Sequence, residues 1–289
     1  MGISIYPYEY RFSRINTSTQ DAFMHKALTL LRIRSILTPQ ETPMNRFVRF
    51  NFTKDTAVAF GASAVMIFLS LIMLLFGGDS LIDKAMSFIL RDLLMIFGLG
   101  IVFVSLYVGK KAGSLKALGF TGQKNALSLL IDFLLAAGLL AMFLKDEKPA
   151  GILEIKNLYA ATYILVAGIF EMTFIYGYLR ASFEKAFGII PAILLTAAFY
   201  SFHHAGFQPE FLHLFFVGLM YCSVYYITQN LLIIFPFFWG VGALWDVIVS
   251  SEAGEEIKNL ESFIIALIIL VLSVGWIFIS KKRLSGQAR

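Results

Sequence analysis

The sequence has little charge, one cysteine and four histidines. Only 15% of its 289 residues are Asp, Glu, Lys or Arg, against about 25% in a typical soluble domain. That deficit excludes a surface that faces water all round. The single cysteine, Cys222, excludes an internal disulfide framework and any cysteine-cluster metal site. Its apolar surroundings read as those of an inert, buried thiol. Residues 1–50 carry scattered charges and no early apolar core followed by small residues, so a secretory signal peptide is not expected there. There is no internal repeat and no low-complexity tract, and without paired halves an inverted-repeat transporter ranks low.

Apolar residues dominate instead. They make up 58% of the chain, with a mean hydropathy of +0.76, and come in long runs separated by short charged patches, the pattern of a polytopic membrane protein. Eight runs approach the roughly 20 residues needed to cross hydrocarbon. They lie near 56–76, 92–109, 126–144, 158–180, 188–207, 211–228, 230–250 and 262–280. The fold expected is an all-α membrane helix bundle of about eight transmembrane helices. Residues 1–50 form an N-terminal segment at the cytoplasmic surface, 51–150 the first membrane helices, 151–250 the core helices with the candidate site, and 251–289 the last span and a basic tail. Within the first segment, Asp21–Ile36 has helical periodicity and several basic residues, which suits a helix on the membrane surface; His25 belongs to it.

Basic residues sort by loop parity. The N-terminal segment, the Lys110–Lys124 loop and the Lys281–Arg289 tail are basic, whereas "SSEAGEEIKNLES" after the seventh run is acidic. The positive-inside bias puts both termini in the cytoplasm, consistent with an even number of spans. The location expected is the inner, cytoplasmic membrane of a cell.

An ionisable side chain at mid-span costs at least a few kcal/mol and is a functional candidate by default. Glu171, in "YILVAGIFEMTFIYGYL", lies too deep in its run for snorkelling. Three of the four histidines, His203, His204 and His213, fall in "AAFYSFHHAGFQPEFLHLFF". A Glu–His pair between consecutive spans, joined by the short connection "ASFEKAF", is geometrically reasonable. On a helix, adjacent His203 and His204 point about 100° apart, so only one is expected to face a given site. His213 sits near the start of the sixth run, close to the wetted interface. Asp246, in "FWGVGALWDVIVS", has Gly242 one turn before it; Asp132, in "LSLLIDFLLAAG", has no evident partner and reads as structural.

Glu171, Tyr176, Gly177 and Leu179 in "EMTFIYGYL", followed by Phe199 and His203 in "FYSFH", resemble the intramembrane proteases of the CAAX-prenyl-protease and bacteriocin-processing type, the CPBP or Abi family. That family's motifs read roughly Glu-Glu-x-x-x-Arg-Gly, Phe-x-x-x-His and His-x-x-x-Asn or Asp. The resemblance covers approximately residues 158–250. It implies that Glu171 is the base that activates water and that His203 helps to hold the water. In the first motif Met172 stands for the second glutamate and Tyr176 for the arginine. In the third, Gly242 stands for the histidine and Asp246 for the Asn or Asp. The family's third pair stabilises the oxyanion; here His204, His213, Tyr176 or Asp246 would supply a donor in its place.

The function implied is a glutamate-dependent intramembrane endopeptidase cutting near the end of a lipidated or hydrophobic protein tail. Its candidate catalytic residues are Glu171, His203, Asp246, His204 and Tyr176. Expected partners are membrane lipid and a hydrophobic or lipidated protein or peptide, with no nucleic acid. No cofactor and no metal ligand are expected. Glu and His make zinc the alternative by residue type, but His-Glu-x-x-His spacing is absent, and His213 would have to be the third ligand. A second reading is a non-catalytic relative that binds, protects or assembles a membrane partner, and the motif substitutions favour it. The third is a transporter in which Glu171 and Asp246 handle protons.

Overall fold

The computed structural model describes residues 46–111, 115–146, 154–207, 210–234 and 257–286. The helices belong to the unit Phe47–Arg289. The surface helix expected over 21–36, with His25, lies outside the described residues. So do Gly242, Asp246 and most of the seventh expected span.

Helix α1 is Lys54–Met73, opened by a capping box in which Thr53 and Thr56 bond reciprocally. Its inward face carries Thr56, Ala59, Ala62, Ser63, Met66 and Ser70, while Val65, Phe68 and Leu71 point outward and are exposed. Small and hydroxyl residues inside with large apolar ones outside is the reverse of a water-soluble helix. It suits a helix that packs closely on its neighbours and turns its bulk to lipid. Phe133, Val271 and Phe278 repeat the pattern on other helices, at 70%, 70% and 72% exposure.

Helix α2 runs without a break through Leu81–Ser87, a π-helical stretch Phe88–Phe103 and Val104–Lys111. It therefore begins earlier than the expected second span at 92. The charges at its start do not end it, because they are matched. Buried Asp92 accepts hydrogen bonds from Tyr163 Oη and, at 3.2 Å, from Arg91 Nε. The Arg91 guanidinium in turn lies 5.0 Å from the centre of the Tyr163 ring.

Helix α3 is Asn125–Asp146. Helix α4 joins Ile155–Phe170, a π-helical stretch Glu171–Leu179 and Arg180–Phe187. The connection expected over 181–187 is thus helical. Arg180 and Glu184 pair one turn apart at 2.8 Å, so these charges extend the helix. The chain turns instead at Gly188, whose φ of +87° favours glycine, and where an added Cβ would lie 2.7 Å from Phe47 O. Arg49 closes this helix end, its Nη2 donating to Glu184 O at 2.9 Å.

Helix α5 is Ile189–His203, α6 is Phe211–Thr228, the short α7 is Leu231–Ile234, and α8 is Leu260–Gly286. Among the described residues there is no strand, and five helical runs are long and apolar enough to cross a membrane. These are Lys54–Phe76, Leu81–Val108, Ile155–Phe187, Phe211–Thr228 and Leu260–Ser280. Shorter apolar stretches, Asn125–Gly138 and Ile189–His203, occupy the third and fifth expected positions.

Helix α4 sits at the centre, in contact with α1, α2, α5 and α8. Two glycines let backbones approach. A Cβ on Gly100 of α2 would fall 2.9 Å from Phe170 Cα of α4, and one on Gly218 of α6 would fall 2.8 Å from Ala197 Cα of α5. Thr173 Oγ1, 2.9 Å from Gly100 O, fastens the first of these crossings.

Candidate functional site

Glu171 is the first residue of the π-helical part of α4, just after the Phe170–Gly100 crossing. Its side chain points inward and is 8% exposed. π-helical turns in otherwise α-helical segments recur at functional sites. The α4 turn, with its i→i+5 bonding, puts Tyr176 one turn beyond Glu171.

The histidines come from the end of α5. His203 Nε2 is 3.3 Å and His204 Nε2 3.8 Å from the same oxygen, Glu171 Oε1. Both rings therefore face the glutamate, which overturns the expectation that only one of them does. The reason is local. His203 is the last helical residue and His204 the cap, with φ −83° and ψ −4°, and the chain then turns through residues 204–207. The regular 100° step no longer applies, and the two rings converge to 3.8 Å between centroids. The turn is held by Gly206 N, which donates to Ser70 Oγ of α1 at 2.9 Å, and by Phe207 N donating to His204 O at 3.0 Å. Ser201 Oγ donates to Phe211 O and ties the end of α5 to the start of α6.

One carbonyl orients both rings. Tyr200 O is within hydrogen-bond distance of His203 Nδ1, at 2.5 Å, and of His204 Nδ1, at 3.0 Å. A carbonyl only accepts, so each Nδ1 carries the hydrogen, and in the neutral imidazole each Nε2 presents a lone pair. Two lone pairs and a carboxyl oxygen then meet at one point. Their approach is attractive only with a shared proton, a water or a cation among them.

Aromatic rings wall the cluster. Phe170 is edge-on to His203, Phe207 packs on both histidines, and Tyr200 lies 4.9 Å from the His204 ring. Tyr176 packs between Tyr200 and Tyr221, 5.4 and 5.5 Å away. Among the described residues, the Tyr176 hydroxyl and Glu171 Oε2 are buried without hydrogen-bond partners. Each is an uncommitted polar atom in a low-dielectric site, one a donor and the other an acceptor.

Of the candidates, Glu171, His203 and His204 come together, with Tyr176 buried in the adjoining aromatic wall. Asp246 lies outside the described residues. His213 is exposed on the first turn of α6 and is not part of the Glu–His cluster, whose third member is His204. Asp132 is buried on α3, apart from that cluster, with neither oxygen hydrogen-bonded among the described residues. Three contributors carried no sequence signal strong enough to single them out. The Tyr200 carbonyl is a backbone atom. Ser70 acts from a distant span. Arg180 sits four residues after Tyr176, donating to Tyr176 O and Leu118 O and stacking 3.9 Å from the centre of the Tyr225 ring. It is fully engaged in clamping α4.

No curated protein and no solved structure matches the chain significantly. A family model does: residues 155–248 match the one described as type II CAAX prenyl endopeptidase Rce1-like. The matched segment starts with α4 and contains Glu171, Tyr176, His203 and His204. The five long apolar helices mark a multi-pass integral membrane protein, and its residues 155–248 are similar to Rce1-like type II CAAX prenyl endopeptidases.

Proposed function

We propose that this protein is a membrane-embedded endopeptidase that hydrolyses a peptide bond near the end of a hydrophobic or lipidated protein tail. The observation that carries this reading is the convergence of Glu171 with His203 and His204 in a buried cluster inside the family-matched segment. Glu171 takes a proton from water held against His203. The water oxygen attacks the scissile carbonyl carbon, the C–N bond breaks, and the proton passes to the departing amine. Negative charge on the carbonyl oxygen is met by a hydrogen-bond donor, for which the uncommitted Tyr176 hydroxyl is the best placed by chemistry. Substrate reaches the site from the lipid phase or its edge. The helices belong to an eight-span bundle with both termini cytoplasmic, as the distribution of basic loops supports.

The test is cleavage of a panel of prenylated and plain hydrophobic tail peptides in liposomes by wild type, Glu171→Ala and His203→Ala. Loss of a general base or its partner lowers the rate by roughly 10²–10⁴-fold. Product from wild type that both substitutions remove supports the proposal. A folded wild type inert on every tail favours instead a non-catalytic, partner-binding relative. For that second reading the specific observation is Met172, a buried thioether where the family motif has its second glutamate.

A further inference from the structure

We propose that residues 47–54, "FVRFNFTK", form a strap that docks on anionic phospholipid, with Lys54 and Lys185 taking the headgroup phosphate. The strap is a built element, not a loose lead-in to α1. Arg49 N donates to Phe187 O at 2.9 Å and Asn51 N to Ala186 O at 2.7 Å, which pins the chain across the turn between α4 and α5. Arg49 Nε and Nη2 both reach Glu184 O, at 3.3 and 2.9 Å. The Phe50 ring meets Phe187 of α4, and the Phe52 ring stacks on Phe60 of α1.

Held in this way, the strap still leaves Phe47, Val48, Phe50 and Phe52 at 50%, 56%, 82% and 53% exposure. Ile190, at the start of α5, is exposed beside them. So many large apolar side chains in one short stretch form a patch of the kind that marks a contact surface. The strap ends where the first membrane-length run, Lys54–Phe76, begins, so it lies at the boundary between hydrocarbon and water. Apolar rings interspersed with basic residues suit that boundary. The rings enter among the acyl chains and the charges stay with the headgroups.

Charge selects the lipid. Hydrogen bonds gather the start of α1, the end of α2, the turn at Leu118 and the ends of α4 and α6 at one end of the bundle: Tyr107 to Asp55, Arg180 to Leu118 O and Tyr226 to Glu184. The two described acids there are engaged, Asp55 by Tyr107 at 2.8 Å and Glu184 by Arg180 and Tyr226 at 2.8 and 2.9 Å. Lys54, Lys116 and Lys185 are exposed at the same end and form no ion pair among the described residues. At the other end Lys84 and Lys156 are paired, with Glu261 at 3.5 Å and Glu154 at 3.1 Å. One end of the bundle therefore presents uncompensated positive charge beside exposed rings. A net-negative headgroup completes that surface, and a zwitterionic one does not. Each lysine held at an anionic bilayer surface favours it by roughly fivefold.

The test uses the full-length chain carrying Phe50→Trp, reconstituted in vesicles of phosphatidylcholine and phosphatidylglycerol at a fixed ratio. Bromine on the acyl chain, which quenches indole on contact, is placed on one lipid or on the other, so the bulk composition never changes. The fluorescence that Phe50→Trp adds to that of wild type is the reporter. Quenching per mole of brominated lipid is expected to be several-fold greater for phosphatidylglycerol. Lys54→Gln and Lys185→Gln should each lower that ratio, by up to about fivefold, and concentrated NaCl should lower it as well. Lys84→Gln, at the opposite end, should leave it unchanged. Size exclusion shows whether each variant is folded, and the measurement with every lysine in place decides the matter if one is not. Equal quenching by the two lipids overturns the proposal. Quenching by neither overturns it too, and assigns the exposed rings to a protein partner. A preference that survives loss of both lysines overturns their role as the phosphate contacts. No cleavage enters the readout, so the result is independent of the peptidase reading.

Discussion

Tyr200 O accepts hydrogen bonds from two adjacent imidazoles, and this one carbonyl sets which nitrogen of each faces Glu171. Glu171 and His203 were legible in the sequence because a carboxyl and an imidazole deep in apolar runs are costly without a partner. The part played by His204 was not legible. Helical periodicity separates neighbouring residues by about 100°, and only the helix end at His203 cancels that step. Tyr176 gives the sharpest prediction at this scale. Its hydroxyl is buried and unpartnered among the described residues, so Tyr176→Phe removes a desolvated group and leaves its ring contacts with Tyr200 and Tyr221 intact. The melting temperature in detergent should stay level or rise. If the hydroxyl meets the oxyanion, the cleavage rate should fall by roughly 10²–10³-fold. A variant that is destabilised and fully active would make Tyr176 a packing residue.

At the level of the helix, the site depends on how closely α4 approaches its neighbours. Gly100 lets α2 come against Phe170, the residue before Glu171, with no room for a Cβ. Gly100→Val forces the two helices apart and should cost about 1–3 kcal/mol, as overpacking typically does. A lowered unfolding temperature, with cleavage impaired even in the fraction that remains folded, is the expected result; unchanged stability would mean that the crossing is loose. Most helix positions could be read from hydrophobic runs alone. Two boundaries could not, for the same physical reason. Asp92 pairs with Arg91 and accepts a hydrogen bond from Tyr163, and Glu184 does the same with Arg180 and Tyr226, so charges that look like helix ends lie within helices. The π-helical turn at Glu171 was equally invisible, since no residue type marks it.

Among the described residues, large apolar side chains such as Phe68, Phe133 and Phe278 stand exposed while polar groups such as Asp92, Glu171 and Thr196 are buried, which makes lipid the solvent of the outer surface. The proposed topology can be tested with the chain's own cysteine economy. Cys222 is fully buried, so an introduced cysteine is the reactive one. Ser114→Cys and Ser251→Cys should label from opposite sides of sealed vesicles, Ser114 from the cytoplasmic side; labelling from one side would refute the span count. The central claim is that Glu171 and its histidines make water attack a peptide bond. Its most direct test is cleavage of a hydrophobic tail peptide by the reconstituted protein in ¹⁸O-water, read by mass spectrometry. The account predicts one ¹⁸O in the newly formed carboxylate with wild type and no product with Glu171→Gln. Unlabelled product, or equal labelled product from the Glu171→Gln protein, would contradict it.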